Sequence, residues 1–267
     1  MSLIRHEPAH WSDAVRQQAG AMLFGSLELP AGAWFPRHTH GQHQLVWAAR
    51  GVAAVNVADA HWLLPPTRAL WLPAGVAHRT GAVGKTELRG IYADPARCPV
   101  HWSGPRMVLV RPLLRELLEY LADQLIDDAA RQRAEAVVFD LLEPVTVTPI
   151  AVPLPTDPRA LAVARALLAD PTDQRTLAGF GSAVGASERT LARLFRGECR
   201  MAFGHWRTQA RLRAALPYLA EGMPLEAIAR RVGYRTPSAF VAAFRRAVGV
   251  PPGQYFAADT RPTDRSL

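Results

Sequence analysis

The 267-residue sequence predicts a two-domain α+β protein. A β-sandwich or small barrel stands at the N-terminal end, helices follow it, and an all-α C-terminal domain holds two helix-turn-helix units. Three observations carry this. Short apolar segments punctuated by Gly and Pro run from Met22 to about Asp94, the spacing of an all-β unit. From Pro105 the apolar residues switch to a helical period. The stretch from Thr176 to Phe256 then reads as one unit written twice. A chain of this length accommodates two domains with separate cores.

The predicted strands are Met22–Leu29, Gln44–Ala49, Val52–Ala58, His61–Leu64, Ala69–Leu72 and Leu88–Ala93. Pro65-Pro66 and Pro73-Ala-Gly75 fall in loops or at strand ends. Trp34, Trp47, Trp62 and Trp71 belong to this half and are expected in its core, one or two of them lining a pocket. Pro112 to Leu121 is an amphipathic helix with proline at its start. Its leucines at 113, 114, 117, 118 and 121 exceed one narrow stripe, so burial on two sides is expected: the barrel on one, and a second subunit or the chain's own core on the other. Glu135–Leu142 is a further helix, stopped by Pro144. Residues 145–158 carry four prolines and read as a stiff, extended linker. Asp157 and Pro158 open the helix Arg159–Leu168. The expected organisation is therefore 1–104 for the barrel, 105–144 for a helical dimerisation or packing segment, 145–158 for the linker and 159–260 for the double helix-turn-helix domain.

In the first copy Leu177, Phe180, Val184 and Gly185 are followed by Leu191 and Phe195, and it closes on Gly204 and Trp206. In the second, Leu225, Ile228, Val232 and Gly233 are followed by Phe240 and Phe244, closing on Gly253 and Tyr255. The offset is 48 up to the glycine and 49 after it, so the second turn is one residue longer. Each copy is a helix, a glycine turn and a second helix. Pro224 suits a first helical turn. Ser187 and Thr236 are the expected N-caps, with Pro237 at the first helical position. Gly179 and Gly181, inside a helix, each cost about 1 kcal/mol relative to alanine. Pro217 is expected to kink or shorten the helix between the copies.

Charge follows the same division. Residues 159–261 hold 16 Arg, no Lys and 7 acidic residues, a net +9, whereas the whole chain is +8 and everything else therefore −1. A basic charge confined to the duplicated segment is the footprint of nucleic-acid binding. Cys98 and Cys199 lack metal-type spacing, and reduced thiols are expected. The first residues form no apolar leader, and no apolar run approaches membrane-spanning length, so a cytoplasmic protein without a membrane partner is expected.

The duplicated segment resembles the DNA-binding domain of AraC/XylS-type transcription regulators over roughly the last 100 residues. The resemblance rests on Ser187 to Phe195, on Gly233 to Arg246 with its Tyr-Arg-Thr-Pro-Ser core, and on Gly249 to Gly253. It implies two units joined by a long helix, here about Phe203 to Glu221, each placing one helix in successive major-groove turns about 34 Å apart. Arg189 and Arg193 are the expected base readers, arginine being suited to guanine, with Ala192 against a thymine methyl and Arg196 on phosphate. In the second unit Arg235, Ser238 and Ala239 stand where bases are expected. Ala242 is too short to hydrogen-bond, so this unit is expected to read fewer bases and to lean on phosphate contacts from Thr236, Arg245 and Arg246. Double-stranded DNA, RNA polymerase, a small-molecule or metal effector and a second copy of the chain are the implied partners.

A second resemblance covers roughly residues 20 to 95. Gly32, His38, His40, Gln44 and Gly51 have the spacing of the first cupin motif, and Pro73-Ala-Gly75-Val-Ala-His78 that of the second, which makes the predicted barrel cupin-like. Gln44 takes the acidic position, and Thr67 and Ala82 replace the second motif's leading Gly and closing Asn. On a continuous strand His38, His40 and Gln44 would share one face. The resemblance implies His38, His40, Gln44 and His78 as ligands of a divalent transition metal (Zn, Ni, Fe or Cu). Otherwise the same four residues are polar contacts for an organic effector, and no cofactor is required. His6, His10, His43, His61, His101 and His205 are expected at the surface or in packing.

The function so implied is a sequence-specific DNA-binding regulator, not an enzyme, whose cupin-like pocket controls DNA engagement. The alternatives are a metal-dependent cupin enzyme with an accessory DNA-binding domain, and a constitutive DNA-binding protein whose barrel only dimerises. Loss of the motif's carboxylate removes a general base and argues against the enzyme.

Overall fold

The computed structural model describes residues 20–122, 126–146 and 148–256, in which the chain divides into two compact units. His6 and His10 lie outside the described residues.

The N-terminal unit is the cupin-like barrel and its helices. Eight strands come first: β1 (Met22–Leu29), β2 (His43–Arg50), β3 (Ala53–Val57), β4 (Ala60–Leu64), β5 (Arg68–Leu72), β6 (His78–Ala82), β7 (Thr86–Ala93) and β8 (Arg106–Leu109). Helices α1 (Pro112–Leu121) and α2 (Asp128–Asp140) follow, then the short β9 (Pro144–Val145). One six-stranded antiparallel sheet runs β1-β7-β2-β5-β8-β9; β4, β3 and β6 are neighbours in the other. The six predicted strands are all present. β6 and β8 were not legible: His78-Arg-Thr-Gly-Ala82 is too polar and too rich in small residues to read as a strand, and is held by pairing with Ala53–Val57.

Alternation in the larger sheet separates two environments. Leu45, Trp47, Ala69, Trp71, Ile91, Ala93 and Val108 form one core with Leu114, Leu118 and Leu121 of α1 and with Ala134 and Val138 of α2. Each such leucine contributes about 1.5–3 kcal/mol of burial. Leu114, Leu118 and Leu121 face this core, while Leu113, on the other side of α1, is 58% exposed in the single chain. Helix α2 begins seven residues before its predicted start, because Asp127 caps it through the Ala129 and Ala130 N–H groups. Glu135, buried on α2, accepts from the backbone N–H of Ala21 and Met22 and so holds the start of β1.

The C-terminal unit begins in the proline-rich stretch, which is anchored rather than free. β10 (Ile150–Ala151) pairs with Ala60 and His61, residues that group with this unit. The Pro153 carbonyl accepts the Trp206 indole N–H at 2.7 Å. One carboxylate oxygen of Glu198 accepts from the Thr156 N–H, the Thr156 hydroxyl and the Asp157 N–H. Helices α3 (Pro158–Ala169), α4 (Leu177–Val184), α5 (Glu188–Glu198), α6 (Phe203–Ala220), α7 (Leu225–Arg231), α8 (Pro237–Val248) and α9 (Pro252–Phe256) follow.

The two copies pack alike: Phe195 meets Trp206 at 5.3 Å between ring centroids, and their equivalents Phe244 and Tyr255 meet at 5.9 Å. Gly181 has a packing reason that its helix propensity hides. A Cβ there would collide with the Ala186 carbonyl, whose own N–H donates to the Gly181 carbonyl at 2.9 Å. Two boundaries differ from expectation by small margins. Helix α6, expected to reach about Glu221, runs three residues past Pro217 to Ala220, with Glu221 as its C-cap. Pro224 is the N-cap of α7 and not its first-turn residue.

Candidate functional site

His38 and His78 form an isolated antiparallel bridge, each backbone N–H donating to the other's carbonyl at 3.0 Å. The bridge sets their rings 4.4 Å apart. The His40 carbonyl accepts from the Gly75 N–H at 2.9 Å, so the two histidine segments are stitched together along their backbones. His40 lies 5.1 Å from His78 and 5.9 Å from His38, ring to ring. One ligand nitrogen of each of the three lies within 4.8 Å of the others.

The tautomers follow from the backbone. Nδ1 of His38 bonds the Pro36 carbonyl at 2.8 Å, Nδ1 of His40 the Gln42 carbonyl at 2.8 Å, and Nδ1 of His78 the Val76 carbonyl at 2.9 Å. A carbonyl only accepts, so each Nδ1 carries the proton and each neutral ring keeps its lone pair on Nε2. This backbone support of the far nitrogen is how metal-ligating histidines are held. Nε2 of His78 is buried with no hydrogen-bond partner among the described residues. Burial pushes the His78 imidazole down to about 4 and lowers that of His40, so both are neutral at pH 7.

Gln44, buried on β2, places its carboxamide 3.1 Å from His40 Nε2. An oxygen and a nitrogen lone pair cannot hydrogen-bond each other. The contact is satisfied when the amide turns its NH2 to the ring, or when a cation lies near both. The site is thus assembled otherwise than expected. Residues 38–40 precede β2, which starts at His43, so it is the bridge and not strand parity that brings His38 to His78, while His40 meets Gln44 from outside the strand.

Tyr92 was not singled out in the sequence. It is the register partner of Gln44 on β7, its ring stands 5.3 Å from His40, and it lies over Gly90, where a Cβ would press on it. Burial pushes its phenol up to about 12, leaving it an O–H. Only the strand register reveals it. His43, on the opposite face, packs on Trp71 and accepts from the Ala74 N–H.

In the C-terminal unit Ser187 caps α5 by accepting from the Thr190 N–H, and Thr236 caps α8 by accepting from the Ala239 N–H. Both hydroxyls act on their own helices, with the O–H of Thr236 still able to donate. Arg189, Arg193 and Arg196 are exposed along α5 and Ala192 is half-buried between them. Arg235, Thr236, Ser238, Ala239, Ala242, Arg245 and Arg246 are exposed on the turn into α8 and on α8 itself. None of the six guanidinium groups on these two faces pairs with a carboxylate among the described residues.

Other arginines are structural, and the sequence did not separate them. Arg211 donates from Nε to the Pro171 carbonyl (2.9 Å) and from its terminal nitrogen to that of Asp173 (3.1 Å). Arg207 donates to the Arg175 carbonyl (2.8 Å), and Gln174 donates to the carbonyl of Gly233 (2.9 Å). The loop before the first unit is thereby tied to the turn of the second. Backbone carbonyls bound by arginine leave no signature in a sequence.

Residues 30–143 match the family described as the AraC-like ligand binding domain, and residues 180–258 match a helix-turn-helix domain family. The chain belongs to the AraC/XylS-type transcription regulators. HTH-type transcriptional regulator NimR of Escherichia coli (strain K12) is 29% identical over 225 residues, 83% of this chain and 82% of that protein. HTH-type transcriptional regulator RipA of Corynebacterium glutamicum is 36% identical over 103 residues, 39% of this chain and 31% of that one. The solved structure of ToxT from Vibrio cholerae O395 aligns over 88% of this chain and 97% of its own at 11% identity, with a TM-score of 0.36. As an AraC-type regulator the chain carries a ligand-binding domain and a DNA-binding domain, and no described helix is long and apolar enough to cross a membrane.

Proposed function

We propose that this AraC-type regulator is a cytoplasmic homodimer whose three-histidine pocket takes a divalent transition metal, and that occupancy of the pocket controls how the two helix-turn-helix units engage DNA. The observation that carries the metal is the lone-pair arrangement: three Nδ1–H groups fixed by carbonyls and a buried Nε2 without a partner. Such a donor set fits Zn, Ni, Cu or Fe better than Mg or Ca, which prefer oxygen. His38, His40 and His78 would hold the ion, with the Gln44 oxygen as a weaker neighbour. Bound there, the ion would act as a Lewis acid open to a further ligand.

What the chain's own residues supply is a coupling between elements. His38 and His40 sit on the segment entering β2, and His78 begins β6, so occupancy would brace that segment, already bridged to His78, against the second sheet. A ligand shifts DNA binding only if it favours one arrangement of the protein over another. On DNA, Arg189 and Arg193 are assigned to base edges, with Ala192 against a methyl. Arg235, Ser238 and Ala239 are assigned to the bases of the second groove, and Arg196, Thr236, Arg245 and Arg246 to phosphates. The exposed, unpaired arginines support this reading, RNA polymerase is the partner that a DNA-bound regulator acts on, and no catalysis is assigned.

The test is metal content of purified full-length protein beside that of His38→Ala, with DNA affinity measured at fixed salt before and after chelation. Near-stoichiometric metal lost in the variant, with DNA affinity changing on chelation, is expected. Metal absent from both after incubation with zinc or nickel makes the pocket one for an organic effector. Metal that leaves DNA affinity unchanged removes the control.

Acid provides a second check. His78 and His40 have depressed pKa values in the folded chain, so the unfolded state binds more protons below about 6.5. Stability of the N-terminal unit is expected to be full above pH 6.5 and to fall as pH drops towards 4, visible as a falling Tm.

A further inference from the structure

The three-histidine site is short of negative charge. Three neutral imidazoles and a neutral carboxamide leave a dication its whole charge, whereas a glutamate at position 44 would offset part of it. Arg37 is the one permanently charged group acting on His78, and no carboxylate acts on His78 or His40. Arg79, next along β6, is turned away: its guanidinium lies 5.2 Å over Trp34 and its Nε donates to the Phe35 carbonyl. No Asp or Glu joins the cluster among the described residues.

The site is also open on one side. His78 and Gln44 are buried, but His38 and His40 are only half-buried. Gly41 and Gly75, which border them, have nothing within 4 Å of where a side chain would start. Tyr92 stands 5.3 Å from His40, ring to ring, and borders the cluster.

We infer that the site captures its metal together with a small carboxylate, which supplies from solution the negative oxygen that Gln44 lacks, so that the effector is a carboxylate-bearing molecule read through the metal. The inference rests on the metal reading above. Linkage makes the effect mutual: metal tightens carboxylate by the same factor that carboxylate tightens metal.

The test uses full-length protein stripped of metal and titrated with cobalt(II), followed by visible absorption at constant ionic strength, with and without acetate as the probe. Acetate is expected to alter the cobalt spectrum and to tighten cobalt by a factor of about 5 to 150, the usual span of coupling between ligands. Gln44→Glu is expected to bind cobalt more tightly without acetate and to lose most of the acetate effect. Cobalt bound by the wild type with no response to acetate overturns the inference, as does a Gln44→Glu chain that responds as strongly as the wild type. A wild-type chain that binds no cobalt overturns the metal reading itself. Should Gln44→Glu not fold without metal, the wild-type acetate titration decides alone.

Discussion

In the first helix-turn-helix copy the turn glycine, Gly185, has φ +65° and open space where a side chain would begin. In the second, Gly233 has φ +82°, and a Cβ there would stand 2.7 Å from the Pro171 carbonyl oxygen and 3.0 Å from the Thr172 Cα. Both glycines provide the left-handed turn, but only the second also admits another backbone. The faces differ in the same direction. Helix α5 presents Arg189 and Arg193 one turn apart, whereas α8 has Ser238 and Ala242 there. The first copy is free at its turn and carries long basic side chains on its face. The second is held at its turn by Gln174 and Arg211 and is short-chained on its face. A duplicated fold has thus been divided into an arginine-faced copy and a braced one.

The largest effect should break the brace. Gly233→Ala is expected to destabilise the C-terminal unit by about 2–4 kcal/mol, through backbone strain and the Pro171 collision together. Gly185→Ala should cost only about 1–2 kcal/mol, the strain alone. Thermal unfolding of the two variants checks the difference, and equal losses would mean that the second turn is no tighter than the first. Next come the readers: Arg193→Ala should lose about 1–3 kcal/mol on the preferred sequence and relax preference at one base. Arg245→Ala should weaken all sequences alike and lower the salt slope by about 1. Binding to a panel of single-base operator variants at several salt concentrations separates the two behaviours. The smallest effect sharpens the comparison at one bond. Gln174→Ala removes an exposed hydrogen bond to Gly233 and should cost about 0.5–1 kcal/mol, seen as a small drop in Tm with base preference unchanged.

How much of this was legible in the sequence depends on what each feature is made of. Repeated apolar positions, turn glycines and hydroxyl caps are local, and the duplicated unit was readable from them. Ser187 and Thr236 cap as their sequence positions dictate. The histidine cluster was readable as motif spacing, although the strand parity offered for it was not its cause: the His38–His78 bridge is, and it joins residues forty positions apart. Tyr92 was hidden because its place beside Gln44 exists only in the β2–β7 register. Gly181 looked like a defect because helix propensity counts the residue's own backbone and not the Ala186 carbonyl that lies against it. The division of arginines into free and structural was hidden for a related reason, since Arg207 and Arg211 bind carbonyls that any residue could provide.

The anchoring of Pro153 and Thr156 bears on how such regulators exchange parts. Sequence periodicity places the start of the helical unit at Asp157 and Pro158, yet Trp206 and Glu198 find their partners upstream of that point. A graft joined at Pro158 would leave a buried indole N–H without an acceptor and a recognition helix without its tether. A graft joined before Ile150 would carry both along. Recombination between sensors and readers is therefore penalised at Pro158 by these lost bonds, and a few residues earlier by the parting of Ile150 and Ala151 from Ala60 and His61, so what reads as linker is part of the fold.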